Sequence, residues 1–373
     1  MPSPEFFMPG SLSNALAVET EVPLAPFTTL GIGGPARFFL RAEVDNNIID
    51  GLRFAARRSL PVLVLGGGSN LLISDDGFDG LVIQIALDRS AHRPTEAEVR
   101  AAGDERGSKR RIKAGAGEDW DDFVEFCVSN DLAGVECMSG IPGSVGGTPV
   151  QNVGAYGQEV SQVIVSVRCI DRGTLEPVTL SNEECGFSYR RSIFNSTGSG
   201  RYIVCEVTYE LERGGLPSLA YKDLIEYFGD RKPTLSETRD AVLAIRRKKS
   251  MVIDPADPNS RSAGSFFKNP VLTQDEYDRI AKRENIHLPK FPMSGGRVKI
   301  PAAWLIEQTG YYRGYQMGRA AISENHSLAL VNLGGATASE IVELSRHIRS
   351  AVKERFNIEL VPEPVFVGFR DGW

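Results

Sequence analysis

The sequence predicts an α+β protein in two unequal parts, and three observations carry that expectation. At 373 residues the chain is long for a single core. Its first half alternates apolar, strand-like runs with glycine-dense loops. From about residue 214 helical spacing and capping boxes take over. The boundary is expected near 211–232. The expected divisions are a mobile tail over 1–19, a first domain over 20–211, a second over 212–356 and a closing strand segment over 357–373.

Composition narrows the class. The hydrophobic fraction of 42% and charged fraction of 24% are ordinary for a soluble globular protein. A net charge of −6 gives no reason to expect nucleic acid or an anionic membrane as partner. The five cysteines are odd in number and contain no CxxC pair, so neither a metal site nor a disulfide framework is expected, and a reducing cytoplasm fits. No secretory signal opens the chain and no segment reaches transmembrane length. No apolar surface stripe calls for a dimer, so a monomer is expected.

Taken in order, LGIGG (30–34) leads into a strand over Ala36–Leu40, and a helix follows with Ile48, Leu52 and Ala55 or Ala56 on one face. Val62–Leu65 is a continuous apolar run, the mark of a buried strand. It empties into Gly66, Gly67, Gly68, Ser69 and Asn70, and LLIS reads as a further strand. Consecutive backbone N–H groups in such a loop suit an anion. A P-loop and a helix-opening dinucleotide fingerprint are both missing, because no GxxxxGK[ST] occurs and the loop is followed by a strand. Residues 89–110 are charge-rich and apolar-poor, a surface insertion.

Arg111–Ala114 leads into a helix in which Trp120, Phe123, Val124, Cys127 and Val128 are spaced for a core face. That helix delivers the chain into Gly134–Gly157, a glycine-dense run salted with Ser, Thr, Gln and Asn, which lets backbone pass close to a flat or phosphorylated group. Strands are expected at 162–170 and 201–211, with Tyr189, Arg190 and Arg191 between them; an arginine beside an aromatic suits an anion.

In the second half, Thr234 with Glu237 caps a helix ending in Arg246, Arg247, Lys248 and Lys249, charges that the helix dipole favours there. Thr273 with Glu276 and Thr337 with Glu340 cap two more. Pro301 is expected at the first position of a helix that Gly310 closes, and Asn357 is expected to stop the last one. Glu363, between two prolines, is a carboxylate held in place.

LGIGG, GGGSNLLI, SGIPGSVGGTPVQNVGAYG, YRRSIF, GSFFKNP, AAWLIEQTG and PEPVFVG occur here in one order, and together they resemble the UDP-N-acetylenolpyruvoylglucosamine reductase (MurB) family from about residue 20 to 368. The resemblance implies a PCMH/vanillyl-alcohol-oxidase-type FAD-binding domain of two α+β subdomains, followed by a smaller α+β substrate-binding domain. It implies non-covalent FAD, NADPH as reductant and UDP-N-acetylglucosamine enolpyruvate as substrate. With His92 the one imidazole of the first half, covalent tethering through histidine is not expected.

On this resemblance Gly66, Gly67, Gly68, Ser69 and Asn70 lie along the FAD pyrophosphate. Ser139, Gly140, Ile141, Pro142, Gly143, Ser144, Gly147, Asn152, Gly154, Ala155 and Tyr156 pass beside the pyrophosphate, ribityl chain and isoalloxazine. Arg190 and Glu363 are implied as stabilisers of an enolate and Ser265 as the proton donor. Tyr189, Tyr221, Lys249, Asn269 and Gln308 are implied on the substrate, Tyr221 marking the subtype whose tyrosine loop closes over the diphosphate. The Gly134–Gly157 stretch is expected to hold the hydride carrier and to contribute little else. Two alternatives stand beside this: a same-fold flavoprotein oxidase using O₂, and a non-catalytic sugar-nucleotide-binding protein.

Overall fold

The computed structural model describes residues 16–88, 90 and 108–369. Most of the 89–110 insertion and residues 1–15 of the expected tail lie outside the described residues. The tail's inner end departs from expectation: Leu16 and Val18 pack on the first core, and Glu19 opens a strand. Alternation of apolar residues gives that short segment a face to bury.

Strands β1 (Glu19–Pro23), β2 (Pro35–Ala42), β3 (Val62–Leu65), β4 (Leu71–Ile73) and β5 (Phe78–Ile85) bracket helix α1 (Asp45–Arg57). One sheet runs β1-β2-β5-β3, with β5 parallel to both its neighbours. Central β5 is buried at Leu81, Val82 and Ile83, whereas Val62–Leu65, expected as a buried strand, takes the sheet edge and buries only Leu65 fully. Helix α1 buries Ile48, Leu52 and Ala55, the expected face.

A second sheet follows, built from β6 (Lys109–Gly115), β7 (Leu132–Ala133), β10 (Ile164–Asp171), β11 (Pro177–Ser181) and β12 (Tyr202–Arg213). The order β11-β10-β12-β6 is antiparallel throughout, and β7 adds to the end of β12. Helix α2 (Trp120–Ser129) lies on it, capped by Asp119, whose carboxylate accepts from the N–H groups of Asp121 and Asp122. Phe123 sits 4.8 Å from Tyr209 and 5.6 Å from Trp120, ring centroid to centroid, at the heart of this core. All five cysteines are buried free thiols, Cys127 among the core residues of α2. Between the sheet strands, β8 (Gly154–Ala155) and β9 (Gln158–Glu159) form a short hairpin at the end of the glycine stretch.

Helices α3 (Lys222–Phe228) and α4 (Leu235–Lys248) follow β12. They share a small core with Cys137, through Leu224, Phe228, Ala241 and Val242. This helical pair therefore packs against the glycine stretch. The remaining elements are β13 (Val271–Thr273), α5 (Gln274–Glu284), β14 (Phe291–Met293), β15 (Arg297–Lys299), α6 (Ala302–Glu307), β16 (Gln316–Met317), β17 (Ala320–Ile322), β18 (Leu330–Asn332) and α7 (Ala338–Phe356). Capping boxes form at Thr234, Thr273 and Thr337, as their spacing predicts. Asn357 ends α7 in a left-handed conformation, φ 54°. Pro301 departs by one position: it is the N-cap of α6, extended at ψ 114°, and the helix begins at Ala302.

Two long-range connections decide where the site lies. Leu30, Ile32 and Leu72 from the first half are buried in the second core, with Phe266, Leu305 and Phe356. The closing strand β19 (Val365–Val367) returns to the first half and pairs in parallel with β4. Sequence patterning places a strand there but carries no sign of its partner.

Candidate active site

A cleft of about 1150 Å³ runs between the two halves and is floored by both glycine loops. The loops meet face to face. A Cβ on Gly67 would stand 2.6 Å from the Cα of Gly143, and one on Gly66 would stand 2.7 Å from Ser144 Oγ. Gly68 has φ +63°, and a Cβ there would strike the Phe27 carbonyl. The glycines are thus required by the approach of backbone to backbone, which leaves a side-chain-free surface of peptide groups. Ser144 Oγ is buried in it without a hydrogen-bond partner among the described residues. An unmatched hydroxyl in a bare backbone cradle fits a ligand rich in acceptor oxygens, such as a dinucleotide pyrophosphate.

The cradle is tied to the closing strand. Val365 N–H donates to the Asn70 carbonyl at 2.9 Å, and Asn70 Nδ2 donates to Gln151 Oε1 at 3.1 Å and to the Glu363 carbonyl at 3.3 Å. Glu363 N–H donates in turn to the Phe266 carbonyl at 2.9 Å, and Phe266 N–H to the Leu328 carbonyl at 2.7 Å. Asn70, Glu363, Ser265 and the 326–328 turn are therefore held in register by main-chain bonds.

Arg190 comes from the other side. Ser188 and Arg191 exchange backbone hydrogen bonds at 2.9 and 3.0 Å, so Tyr189 and Arg190 form the tip of a two-residue turn. Arg190 has φ 53°, a conformation such a tip usually gives to Gly or Asn. Its guanidinium donates to the carbonyls of Asn152, at 3.4 Å, and Gly154, at 3.2 Å. The glycine stretch therefore aims this arginine, more than the cofactor-holding part expected of it. Arg191 points outward and is exposed. Arg190 Nε lies 3.2 Å from Glu363 Oε1, a charge contact that falls short of hydrogen-bond geometry and leaves the buried Nε–H without an acceptor among the described residues.

Burial raises the Glu363 carboxyl above its ordinary range, and the opposing charges of Arg190 and Lys268 do not cancel the effect. Ser265 Oγ lies 3.3 Å from His326 Nε2. Burial, with Lys249, Arg313 and Arg246 nearby, pulls the His326 imidazole down to about 4. Farther along the cleft Lys249 Nζ donates to Asp223 Oδ2 at 2.7 Å. Burial, the largest single influence, would lower the lysine; the Asp223 bond, with the charge of Asp223 and the hydroxyls of Tyr156 and Tyr221, together outweigh it and leave the ammonium raised. Tyr221 packs edge-on to Tyr156 with centroids 5.3 Å apart. The Tyr189 ring lies 5.0 Å beneath Lys299 Nζ, and Asn269 Oδ1 accepts from Ala302 N–H, the first residue of α6.

The cleft does not take in every residue the sequence pointed to. Ser139 is fully buried and donates to the Glu136 carbonyl, and Gly140 bonds Asp121 and Arg246. Asn152 spends its side chain on Glu159, Ser188 and Ser161. These three stand behind the wall and shape it. Gln308 lies at the C-terminal end of α6, outside the cleft lining, with its carbonyl bonded by Arg355. Sequence reasoning missed His326, Lys268 and Arg246 as cleft residues. His326 had one faint signal, a Ser-Glu-Asn-His-Ser turn between two strands. Arg246 looked like one of four helix-end charges, whereas burial and its bonds to the Gly140 and Met251 carbonyls set it apart.

A backbone cradle, a cleft shared by two α+β parts and a half-buried arginine–carboxylate pair suit an FAD-binding oxidoreductase, and comparison with known proteins identifies the chain as one. Residues 36–179 match the FAD binding domain family, and residues 255–367 match the family described as UDP-N-acetylenolpyruvoylglucosamine reductase, C-terminal domain. The chain is 47% identical to the UDP-N-acetylenolpyruvoylglucosamine reductase of Thermobifida fusca, over 93% of this chain and 97% of that one. To the enzyme of that name from Streptomyces coelicolor it is 45% identical, over 93% and 90%. The crystal structure of the Thermus caldophilus reductase superposes with a TM-score of 0.62 at 27% identity, over 94% of this chain and 99% of that one. The chain belongs to the UDP-N-acetylenolpyruvoylglucosamine reductase family.

The cradle is open to a direct test. Gly67→Val forces a branched side chain into the 2.6 Å gap at Gly143. The purified variant is expected to fold, by circular dichroism, and to elute without its yellow flavin; a variant that keeps a full complement of FAD contradicts the cradle.

Proposed function

We propose that this chain catalyses the NADPH-dependent reduction of UDP-N-acetylglucosamine enolpyruvate to UDP-N-acetylmuramate, a cell-wall precursor, as a cytoplasmic monomer. The observation that carries this reading is the convergence of Arg190, Ser265 and Glu363 on one cleft beside the glycine cradle. Bound FAD, with NADPH as reductant, would supply hydride chemistry at the enolpyruvyl methylene carbon. Gly66–Asn70, Ile141–Ser144, Gly147 and Gly154–Tyr156 would hold the FAD, through backbone donors and the spare Ser144 hydroxyl. Among the described residues no helix is long and apolar enough to cross a membrane.

Hydride addition to an enolpyruvyl ether leaves an enolate conjugated with a carboxylate, so negative charge gathers on carboxylate oxygens. A donor already in place for that charge lowers the barrier most. The unmatched Arg190 Nε–H is such a donor, and its guanidinium is kept from swinging away by the Asn152 and Gly154 carbonyls. Glu363, raised by burial, keeps a proton to higher pH than an ordinary carboxyl and in that form donates a hydrogen bond to the enolate. Ser265 Oγ–H gives its proton to the enolate carbon. Lys249 and Tyr221 serve the substrate diphosphate and mark the tyrosine-loop subtype; Asp223 holds the ammonium until the diphosphate replaces it. Tyr189 and Asn269 border the same pocket.

Rapid mixing separates the two half-reactions. Ser265→Ala should leave flavin reduction by NADPH nearly intact and abolish oxidation of the reduced enzyme by the enolpyruvyl substrate; equal loss of both steps overturns the proton-donor role. Arg190→Ala should cost the second step roughly 3–4 kcal/mol, the scale of a lost oxyanion donor.

The pH dependence follows from Glu363. Its folded-state pKa is raised, so the donating, protonated form is full at low pH and is lost as pH rises through a value above the ordinary carboxyl range. The enolpyruvyl step should slow along that limb, and Glu363→Gln, neutral at every pH, should flatten it. An unchanged limb in the glutamine variant assigns it to another group.

A further inference from the structure

His326 stands on the turn between β17 and β18, in the second half of the chain. The turn is fastened from four sides. Glu324 N–H donates to Asn259 Oδ1 at 3.0 Å, Asn325 Nδ2 to Ser250 Oγ at 2.9 Å and Ser327 Oγ to Glu307, while the Leu328 carbonyl accepts from Phe266 N–H at 2.7 Å. The last of these bonds lies one residue from Ser265, so the imidazole and the serine hydroxyl are set against each other by backbone as well as by side chains. Ser250 follows Lys249 directly, which links the same turn to the phosphate end of the cleft.

Ser265 Oγ and His326 Nε2 are 3.3 Å apart, and the bond can run either way. A hydroxyl that donates to the imidazole points its proton away from the cleft and has none to give. A hydroxyl that accepts from Nε2–H has its lone pair engaged and its own proton free to turn toward the substrate. The second arrangement needs a proton on Nε2, carried either by an imidazolium or by the neutral Nε2–H tautomer. Burial, together with the cations Lys249, Arg313 and Arg246, keeps the ring neutral around neutral pH.

We propose that His326 is the positioning residue for the proton-donating serine: its Nε2–H donates to Ser265 Oγ and turns the Oγ–H into the cleft. The proposal rests on the functional reading above. In the step it serves, the enolate electron pair takes the serine proton, a C–H bond forms as the O–H bond breaks, and the charge left on Oγ is held by the Nε2–H. Water then returns a proton to the oxygen. The imidazole changes neither its charge nor its tautomer.

Two variants and one spectrum test this. In His326→Ala the reduction of bound FAD by NADPH should remain at the parent rate, substrate affinity should hold, and the enolpyruvyl step should slow by roughly 100-fold, the low end for a disabled acid catalyst. His326→Gln carries an amide N–H able to replace the donor and should recover about tenfold or more of that loss. A merely structural histidine predicts no recovery by glutamine, or equal damage to both half-reactions, and either result overturns the proposal.

Nitrogen NMR of the histidine-labelled protein supplies a readout independent of turnover. His326 should appear as a neutral ring protonated on Nε2, with a resonance that moves in Ser265→Ala and stays in place in Tyr221→Phe. A proton on Nδ1 overturns the proposal even if the enzyme folds and turns over. If Ser265→Ala leaves the enolpyruvyl step untouched, it is the serine's role in the functional reading that fails, and the NMR signature distinguishes that outcome from a misassigned histidine.

Discussion

The pairing of β19 with β4 is the constraint on which the site depends. Three parallel-register residue pairs, Val365 with Leu71, Phe366 with Leu72 and Val367 with Ile73, bring the end of the chain back to the strand that follows the glycine cradle. Without that return Glu363 has no fixed relation to the loop 293 residues earlier whose Asn70 side chain bonds its carbonyl. The same return threads Phe266 and Ser265 between Glu363 and the 326–328 turn. Burial of Leu30, Ile32 and Leu72 in the second core supports it from below, since separating the halves would expose those side chains to water. Apolar burial and a short parallel ladder thus set the distance between a cofactor cradle and an acid.

Charge in the cleft is arranged on that frame. Arg190 and Glu363 face each other with 25% and 13% of their side-chain surfaces exposed, so neither is screened as a surface pair would be. The arginine is anchored by backbone carbonyls rather than by the carboxylate, which leaves its buried Nε–H unmatched among the described residues. A buried donor left unspent costs stability, and such costs are retained where a ligand repays them. At the other end Lys249 is held by Asp223 of α3, the helix that Tyr221 precedes. The two ends share the 323–328 turn, through Asn325 on Ser250 and His326 on Ser265.

Local structure was largely legible in the sequence. Val62–Leu65 is a strand to the residue, the three Thr/Glu boxes cap the helices they mark, and Cys127 is core. Periodicity and capping are local physics, and they report local facts. Pro301 slipped by one position because its fixed φ serves the N-cap as well as the first helical turn. Ordered motifs pointed to Arg190, Ser265 and Glu363, and these share the cleft. What could not be read was which residues a wall conceals: Ser139, Gly140 and Asn152 lie within the glycine stretch yet stand behind its surface, and Gln308 lies at a helix end outside the cleft lining. His326 and Lys268 were invisible for the converse reason, since a single histidine in a turn and a lysine after a pair of phenylalanines acquire meaning only when β17, β18 and β19 bring them beside Ser265 and Glu363. The expectation that Gly134–Gly157 only beds the cofactor failed because the carbonyls that hold Arg190 carry no sequence signature at all.

In the proposed function one cleft holds a flavin in the glycine cradle and presents an enolpyruvyl substrate to Arg190, Ser265 and Glu363. Anaerobic spectroscopy of the purified protein tests it most directly. NADPH should bleach the yellow flavin, and one equivalent of UDP-N-acetylglucosamine enolpyruvate should restore the colour within a turnover, whereas UDP-N-acetylglucosamine should not. A flavin that air reoxidises rapidly and the enolpyruvyl sugar nucleotide leaves bleached would contradict the account.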